Sequence, residues 1–327
     1  MKTRHLLTAA VILAITTFSA QAQNAKTSFL DAKSAGPDFA VQGEYVGTIG
    51  KKRKLGVQVV ALGKGGFDAV LYAGGLPGAG WDGKTRTRLK GKTSDGKVTF
   101  KGKNFAGAVA GGVFSGTADD DVKYQAKKVM RKSTTLGAKA PKGAVVLFDG
   151  STADHFQGGK IEAGGLLNVG VRTKRKFSNF KLHLEFRTPF MPYARGQGRG
   201  NSGMYLLDQY ECQVLDSFGL AGLDNECGGI YKVARPNVNM CLPPLSWQTY
   251  DVDFTAAKFD KTGKKVSPAV TTIRHNGVVI HEKLTLKVTA GGGQNDEKPG
   301  ALYLQNHGDP VRFRNIWIVE IKSAARA

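Results

Sequence analysis

The chain has 327 residues, 41% of them apolar, and a formal net charge of +21. That length suits two domains of ordinary size and that apolar share suits packed cores, which excludes an intrinsically disordered chain. No Cys/His spacing resembles a zinc site and no nucleic-acid module motif is present, so the charge reads as a surface field, not a base-reading device.

Lys2 and Arg4 make a basic start, Leu6 to Phe18 is apolar, and Ala20-Gln21-Ala22 is a small-x-small cleavage site. Residues 1–22 therefore read as a secretory signal peptide cut after Ala22. The apolar run is short for a membrane span. The mature chain is expected in a periplasm or outside the cell, with no membrane span.

Residues 23–132 read as a small, basic, β-rich domain. Val57–Leu62, Phe67–Tyr72, Lys97–Phe100 and Val113–Gly116 have strand composition, and Gly-rich turns separate them. A small antiparallel barrel or sandwich is expected. From Lys26 to Lys142 there are 22 Lys and Arg against 9 Asp and Glu, clustered at Lys51–Lys54 and Arg86–Lys92. Such a field attracts polyanions. For an exported protein the expected partner is an anionic polysaccharide or cell surface, not nucleic acid. Trp81, ending the loop Gly74–Trp81, is either a stacking face for a sugar or the buried ring of a tight turn. Asp119 to Asp121 reads as a calcium loop or a solvated acidic turn.

Residues 133–143 have linker composition. Beyond them strands recur: Phe180–Arg187, Met204–Leu215, Tyr250–Ala256, Val270–Arg274, Val278–Glu282, Gly300–Gln305 and Phe313–Ile321. Asn276-Gly277 is a tight hairpin turn. The fold class is all-β, with a jelly-roll sandwich over residues 144–327. Cys227 and Cys241 could pair, with Cys212 packed beneath the sheet; three unpaired buried thiols are the alternative.

Within Met204–Leu215, read as one strand, Glu211 and Gln213 share a face. A one-residue bulge would bring Asp216 onto it. Two carboxylates flanking an amide suit acid–base work on a sugar, or form a solvated polar sheet edge.

An ordered set of signatures spans residues 144 to 321: Leu147-Phe148-Asp149-Gly150-Ser151, Phe180–Arg187, Asn201-Ser202-Gly203-Met204, Tyr210-Glu211 with Gln213 and Leu215-Asp216, Gly228-Gly229-Ile230-Tyr231, Trp247, Asn276-Gly277, Leu304–Gly308 and Val311–Ile316. The set resembles the 3-keto-disaccharide hydrolase family, whose fold is similar to the concanavalin-like jelly roll of family-16 glycoside hydrolases. Glu211-x-Gln213-x-x-Asp216 looks like the acid-x-acid-x-x-acid motif of those enzymes. Its central acid is Gln, which puts double displacement in doubt. Trp247-Gln248 also departs from the family's usual Trp-Asn.

The resemblance implies elimination chemistry. A ketone at ring carbon 3 acidifies the carbon-2 hydrogen; a base removes it, the enolate expels the carbon-1 group, and water adds to the enone. Glu211 is the expected base, or else a metal ligand, and Asp216 shares either task. His307 is expected to protonate the leaving oxygen and Arg312 to steady the enolate. Asn201, Tyr210, Gln213 and Arg314 are expected to bind substrate. A divalent metal, calcium or manganese, is an open option. The alternatives are a conventional glycoside hydrolase and a non-catalytic polysaccharide-binding protein.

Overall fold

The computed structural model describes residues 24–293 and 296–321, so the signal peptide expected over residues 1–22 lies outside the described residues. The chain is 47% strand and 4% helix, as an all-β protein should be. Among the described residues no helix is long and apolar enough to cross a membrane, which leaves spanning by strands unaddressed.

The front half is a closed barrel of eight antiparallel strands in sequence order. They are Gly43–Ile49, Arg53–Gly63, Gly66–Ala73, Arg86–Ser94, Lys97–Gly102, Phe105–Ala110, Val113–Ala118 and Lys123–Val129. Inward positions carry Tyr45, Val57, Val59, Phe67, Leu89, Phe100, Phe114 and Tyr124, which form one apolar cluster. Closure pairs the first strand with the last, so no edge is left open. Four of these strands are not apparent from composition. Arg86–Ser94 is the clearest case: only Leu89 is buried, and the outward residues are charged or polar.

The second half is a sandwich. Its smaller sheet runs, edge to edge, Phe156–Gln157, Val171–Thr173, Tyr303–Leu304, Ser202–Leu206 and Tyr210–Val214. The larger sheet runs Ile161–Glu162, Leu166–Leu167, Arg312–Glu320, Phe180–Arg187, Gln248–Thr255, Val270–His275 and Val278–Thr285, with Val145–Phe148 also paired to Arg312–Glu320. Phe180, Leu182, Leu184 and Phe186 of the larger sheet meet Met204, Leu206, Tyr210, Cys212 and Val214 of the smaller one in a single core. Alternation then sends the intervening residues of each sheet to its outer face. Asn276 and Gly277 both have positive φ (53° and 83°), the twist that a two-residue hairpin turn requires.

The segment expected as one strand, Met204–Leu215, is two. Leu207 and Asp208 sit at φ 54° and 60° and turn the chain back on itself. Ser202–Leu206 then pairs antiparallel with Tyr210–Val214, which sets Tyr205 directly opposite Glu211. A Leu-Asp pair is a poor match to the Asn-Gly turn signature, so the reversal leaves little trace in the sequence.

The two halves are joined by more than the linker. Phe190, from the sandwich, is fully buried and belongs to the barrel's apolar cluster. It exchanges both backbone hydrogen bonds with Phe29, and its ring lies 5.9 Å from Phe29 and 5.1 Å from Phe39. Of the two readings of the loop ending at Trp81, the anchored turn is the one seen. Leu76 is buried, Arg131 donates to the Pro77 carbonyl (2.8 Å), and a side chain at Gly78 would overlap Met240 of the sandwich. The Trp81 ring packs edge-on to Tyr72 at 5.1 Å.

Removing the Phe190 ring should therefore cost stability in both halves. Phe190→Ala is expected to destabilise by about 3–5 kcal/mol, the usual cost of emptying an aromatic core site. Denaturant unfolding followed separately by the tryptophans of the barrel and of the sandwich checks this: coincident transitions in the native protein should separate in the variant.

Candidate active site

Glu211 and Gln213 face outward from the smaller sheet, because Tyr210, Cys212 and Val214 face the core. Outward is not exposed here: Glu211 is 3% and Gln213 1% accessible. The flanking loops close over them. The Glu211 amide donates to Thr289 Oγ1 (2.9 Å), the Tyr231 amide donates to the Glu211 carbonyl (3.1 Å), and Gln213 exchanges backbone bonds with Gly228 and Gly229. An otherwise free sheet edge is thereby covered.

Tyr205 donates its hydroxyl to Glu211 Oε2 at 2.8 Å and accepts from Gln305 Nε2 at 3.2 Å. Burial pushes the Glu211 carboxyl up to about 7, against a smaller downward pull from the Tyr205 hydroxyl. Burial, and then the charge of Glu211, push the Tyr205 phenol upward, so it stays protonated at any working pH. Gly203 lies across the hairpin from Gln213 and beside the carboxylate; a methyl there would overlap Glu211 Oε1.

Beside this pair is a group of amides. Gln197 Oε1 accepts from Gln213 Nε2 (3.2 Å), Asn201 Nδ2 donates to the Gln197 carbonyl (2.7 Å), and the Asn201 amide donates to Asp309 Oδ2 (2.8 Å). Asn201 Oδ1, Gln213 Oε1, Gln305 Oε1 and Asp309 Oδ1 are buried acceptors with no hydrogen-bond partner. Acceptors left this way carry a desolvation cost. Tyr303 stands 5.3 Å from Tyr205 with the Arg172 guanidinium 3.6 Å over its ring, giving the face an aromatic floor.

The expected site residues separate into groups. Glu211, Gln213 and Asn201 come together. Asp216 does not join them through a bulge, since the hairpin register is regular and the strand ends at Val214. Its carboxylate is buried against Arg199 Nε at 2.7 Å, which assigns it to an ion pair. Tyr210 faces the core and donates its hydroxyl to Asp296 (2.5 Å), so it cannot hold substrate on the outer face. His307 is exposed on the loop after Gln305. Arg312 and Arg314 flank the buried Phe313 and emerge on the outer face of the larger sheet, with the core between them and Glu211. Arg312 meets Glu162 (3.4 Å); Arg314 meets Glu185 (2.7 Å) and lies 4.0 Å over Trp247. Tyr205, Gln197, Gln305 and Asp309 were not foreseen; only the hairpin and the loop crossings bring them in.

A second polar group on the larger sheet has the look of a catalytic relay but is built in beneath the linker. His183 Nδ1 lies 2.6 Å from Asp251 and Nε2 lies 3.6 Å from Glu185. Burial alone would lower the His183 pKa, but the Asp251 and Glu185 carboxylates outweigh it and hold the imidazole above its usual value. Burial would raise Glu185, yet hydrogen bonds from His183, Asn315, Arg314 and the Gly137 amide bring it to about 2. Gly137 and Ala138, whose carbonyl accepts from Trp317, cover the group.

Cys212, Cys227 and Cys241 are all free and buried, so of the two readings left open by the sequence the three unpaired thiols hold and the Cys227–Cys241 bridge does not. Cys212 does lie beneath the sheet, in the core. Among the described residues, no three His, Cys, Asp or Glu side chains gather as a metal site. Each carboxylate has a different partner: Glu211 stands among a phenol and amides, Asp216 against a guanidinium and Asp309 on a backbone amide.

A sandwich carrying a desolvated acid among phenols and amides is the architecture of a carbohydrate-active protein of the hydrolase or lyase kind. The chain belongs to the family of 3-keto-alpha-glucoside-1,2-lyase-like domains, whose model matches residues 143–319. It is similar to a candidate glycosyl hydrolase from Parabacteroides distasonis, solved at 2.13 Å resolution, with 33% identity over 56% of this chain and 85% of that one and a TM-score of 0.49. A second candidate glycosyl hydrolase from that organism, solved at 1.70 Å, shares 18% identity over 55% of this chain and 95% of that one, with a TM-score of 0.41. No curated protein matches the chain.

Burial of Glu211 has a consequence for stability. A carboxyl whose folded pKa lies above its unfolded value binds its proton more tightly when folded. Its contribution is therefore full below about pH 4.5 and is lost as pH rises through about 7. Glu211→Gln, which retains an acceptor for Tyr205, is expected to stabilise the protein at pH 8 by up to roughly 3 kcal/mol and to leave it unchanged at pH 4. Urea denaturation at the two pH values measures the difference; equal effects at both would show that Glu211 is not desolvated.

Proposed function

We propose that this chain cleaves 3-keto-glycosides by elimination and hydration, with Glu211 as the base. The observation that carries this reading is a carboxylate with a pKa of about 7, desolvated and oriented by Tyr205, on a face lined with unpartnered acceptors. A base that removes a carbon-bound proton at neutral pH works best when its pKa is near the working pH. An ordinary glycosidase needs two carboxylates facing one bond. On its strand Glu211 has no second free carboxylate, because Gln213 holds the neighbouring position and Asp216 is engaged by Arg199; Asp309, the other carboxylate of this group, is held by the Asn201 amide and lies 3.9 Å from Lys26.

In this scheme the Glu211 carboxylate takes the carbon-2 proton, and the carbon–hydrogen pair moves into a double bond to carbon 3, leaving charge on the ketone oxygen. The bond to Glu211 weakens once the carboxyl is neutral, and the Tyr205 hydroxyl is then free to donate to the enolate oxygen. Collapse of the enolate breaks the carbon-1 bond, and the departing oxygen takes a proton from His307 at the rim or from the newly protonated Glu211. Water adds to carbon 1 and a proton returns to carbon 2, so the net change is hydrolysis. Asn201, Gln213 and Gln305 receive sugar hydroxyls. No step passes through a metal. Export, read from the basic and apolar start of the chain, belongs to the same proposal.

Turnover of a 3-keto-glucoside beside its unoxidised parent tests the reading. The keto compound alone should be cleaved, with kcat/KM falling about 100-fold from pH 9 to pH 5 as Glu211 protonates in the free protein. Glu211→Gln should reduce the rate at least about 1000-fold with the fold intact, and chelator should leave it unchanged. Cleavage of the parent at a similar rate would replace this scheme with conventional glycoside hydrolysis; cleavage of neither would leave a binding protein. His307→Ala should slow substrates with poor leaving groups more than those with good ones, and an equal loss for both would remove His307 from the chemistry.

A further inference from the structure

Between the barrel and the sandwich lies a cavity of about 290 Å³, separate from the Glu211 face. Four cationic side chains line it, Arg88 and Lys90 from the barrel and Arg195 and Arg199 from the sandwich, against two carboxylates, Asp68 and Asp216. Asp68 pairs with Lys90 (2.8 Å) and Asp216 with Arg199 (2.7 Å). Arg88 donates to the Gly219 carbonyl and Arg195 to the Leu62 carbonyl, bonds that place both guanidinium groups without neutralising them.

Arg199 is the informative member. It is 4% accessible, its Nε holds Asp216 and its Nη1 donates to the Ala61 carbonyl, while Nη2 is buried with no hydrogen-bond partner. A buried N–H of a guanidinium without an acceptor is costly, and an oxyanion that offers two acceptor oxygens is the group that fits its fork. Burial, and then the charge of Arg199, lower the pKa of Arg195.

The cavity continues onto a basic surface. Arg86, Arg88, Lys90 and Lys92 occupy alternate positions of one barrel strand, all exposed, with Leu89 buried between them. Alternate residues on a strand are about 7 Å apart. Lys101, opposite Lys90 on the next strand, widens the row. A repeating row of cations, with a cavity of four cations against two carboxylates beside its central pair Arg88 and Lys90, matches a repeating polyanion. On the other side, the loop Arg195–Asn201 lines the cavity with Arg195 and Arg199 and the Glu211 face with Gln197 and Asn201.

We propose that this cavity binds an oxyanion carried by a glycan, a uronate carboxylate or a sulfate ester, and that the cations of strand Arg86–Ser94 hold the charged units that follow it. That the carrier is a glycan rests on the carbohydrate reading of the Glu211 face; the oxyanion site itself does not. The protein's substrate would then be an anionic saccharide whose charged unit sits across one loop from the unit being cleaved.

Calorimetric titration with an oligogalacturonate hexasaccharide, a heparin hexasaccharide, maltohexaose and inorganic sulfate tests this on the full chain. One or both anionic hexasaccharides should bind at least about 10-fold more tightly than maltohexaose, with affinity falling as salt rises; which of the two binds identifies the anionic group. Arg199→Met with Asp216→Leu removes both partners of the buried pair together and should reduce that affinity about 10-fold. Arg88→Gln with Lys90→Gln, at the rim, should also weaken it and flatten the salt dependence, which keeps the test decisive if the first variant does not fold. Equal affinity for maltohexaose, or rim-variant affinity equal to that of the native protein, would overturn the proposal. Anionic binding retained by a protein that turns over neither a 3-keto-glucoside nor a 3-keto-glycoside bearing a uronate or sulfate would remove the catalytic reading and leave this one standing.

Discussion

The chemistry available to this protein depends on a carboxylate held out of water with a phenol opposite it. Neither half of that arrangement suffices alone. A buried Glu211 without Tyr205 would be a protonated, poorly oriented acid; an exposed one would be too weak a base to take a proton from carbon. The hairpin supplies both, because the reversal at Leu207–Asp208 places Tyr205 in register with Glu211 while the Thr289 and Tyr231 segments cover the edge. Two non-glycine residues at positive φ carry a conformational cost for this. The small side of Gly203 leaves the carboxylate the room it needs.

The same device explains what could be read from the chain and what could not. Alternation is a local signal, so the core faces of Phe180–Arg187 and the pairing of Glu211 with Gln213 are legible in the sequence. The turn at Asn276-Gly277 was legible because its residues are those that the geometry favours. The turn at Leu207–Asp208 was not, and with it went Tyr205. Parity alone would place Tyr205 and Glu211 on one face of a continuous strand, but some six residues apart, about 20 Å, rather than in contact. The amides of Gln197 and Gln305 arrive on separate segments, and nothing in their neighbourhoods announces that convergence.

Charge and motif signals misled where folding could still turn a residue either way. Arg312 and Arg314 lie in a matching signature, yet the burial of Phe313 sends both to the far side of the sandwich. Asp216 occupies the last position of an acid motif, yet Arg199 claims it. His183, Glu185 and Asp251 have the composition of a catalytic relay, but Gly137, Thr135 and Ala138 occupy the places a substrate would need. In each case the deciding fact is a long-range contact. A titratable side chain becomes available for chemistry only where the fold leaves it desolvated and without a full complement of partners, and Glu211 meets that condition better than its neighbours.

The barrel then has a physical role beyond adding charge. Phe190 commits the end of strand Phe180–Arg187 to the barrel's core, and the chain must pass from there through Arg195–Asn201 before it can begin the site hairpin. Arg195 and Arg199 are tied to the barrel carbonyls of Leu62 and Ala61. The positions of Gln197 and Asn201, and through them Gln213, are consequently set by the seating of the barrel as well as by the sandwich. Loosening that contact would be felt first in the amides that receive the ligand and only later in Glu211, whose position the hairpin holds locally. The front module is in this sense part of the binding face, and its Lys26 lies 3.9 Å from Asp309.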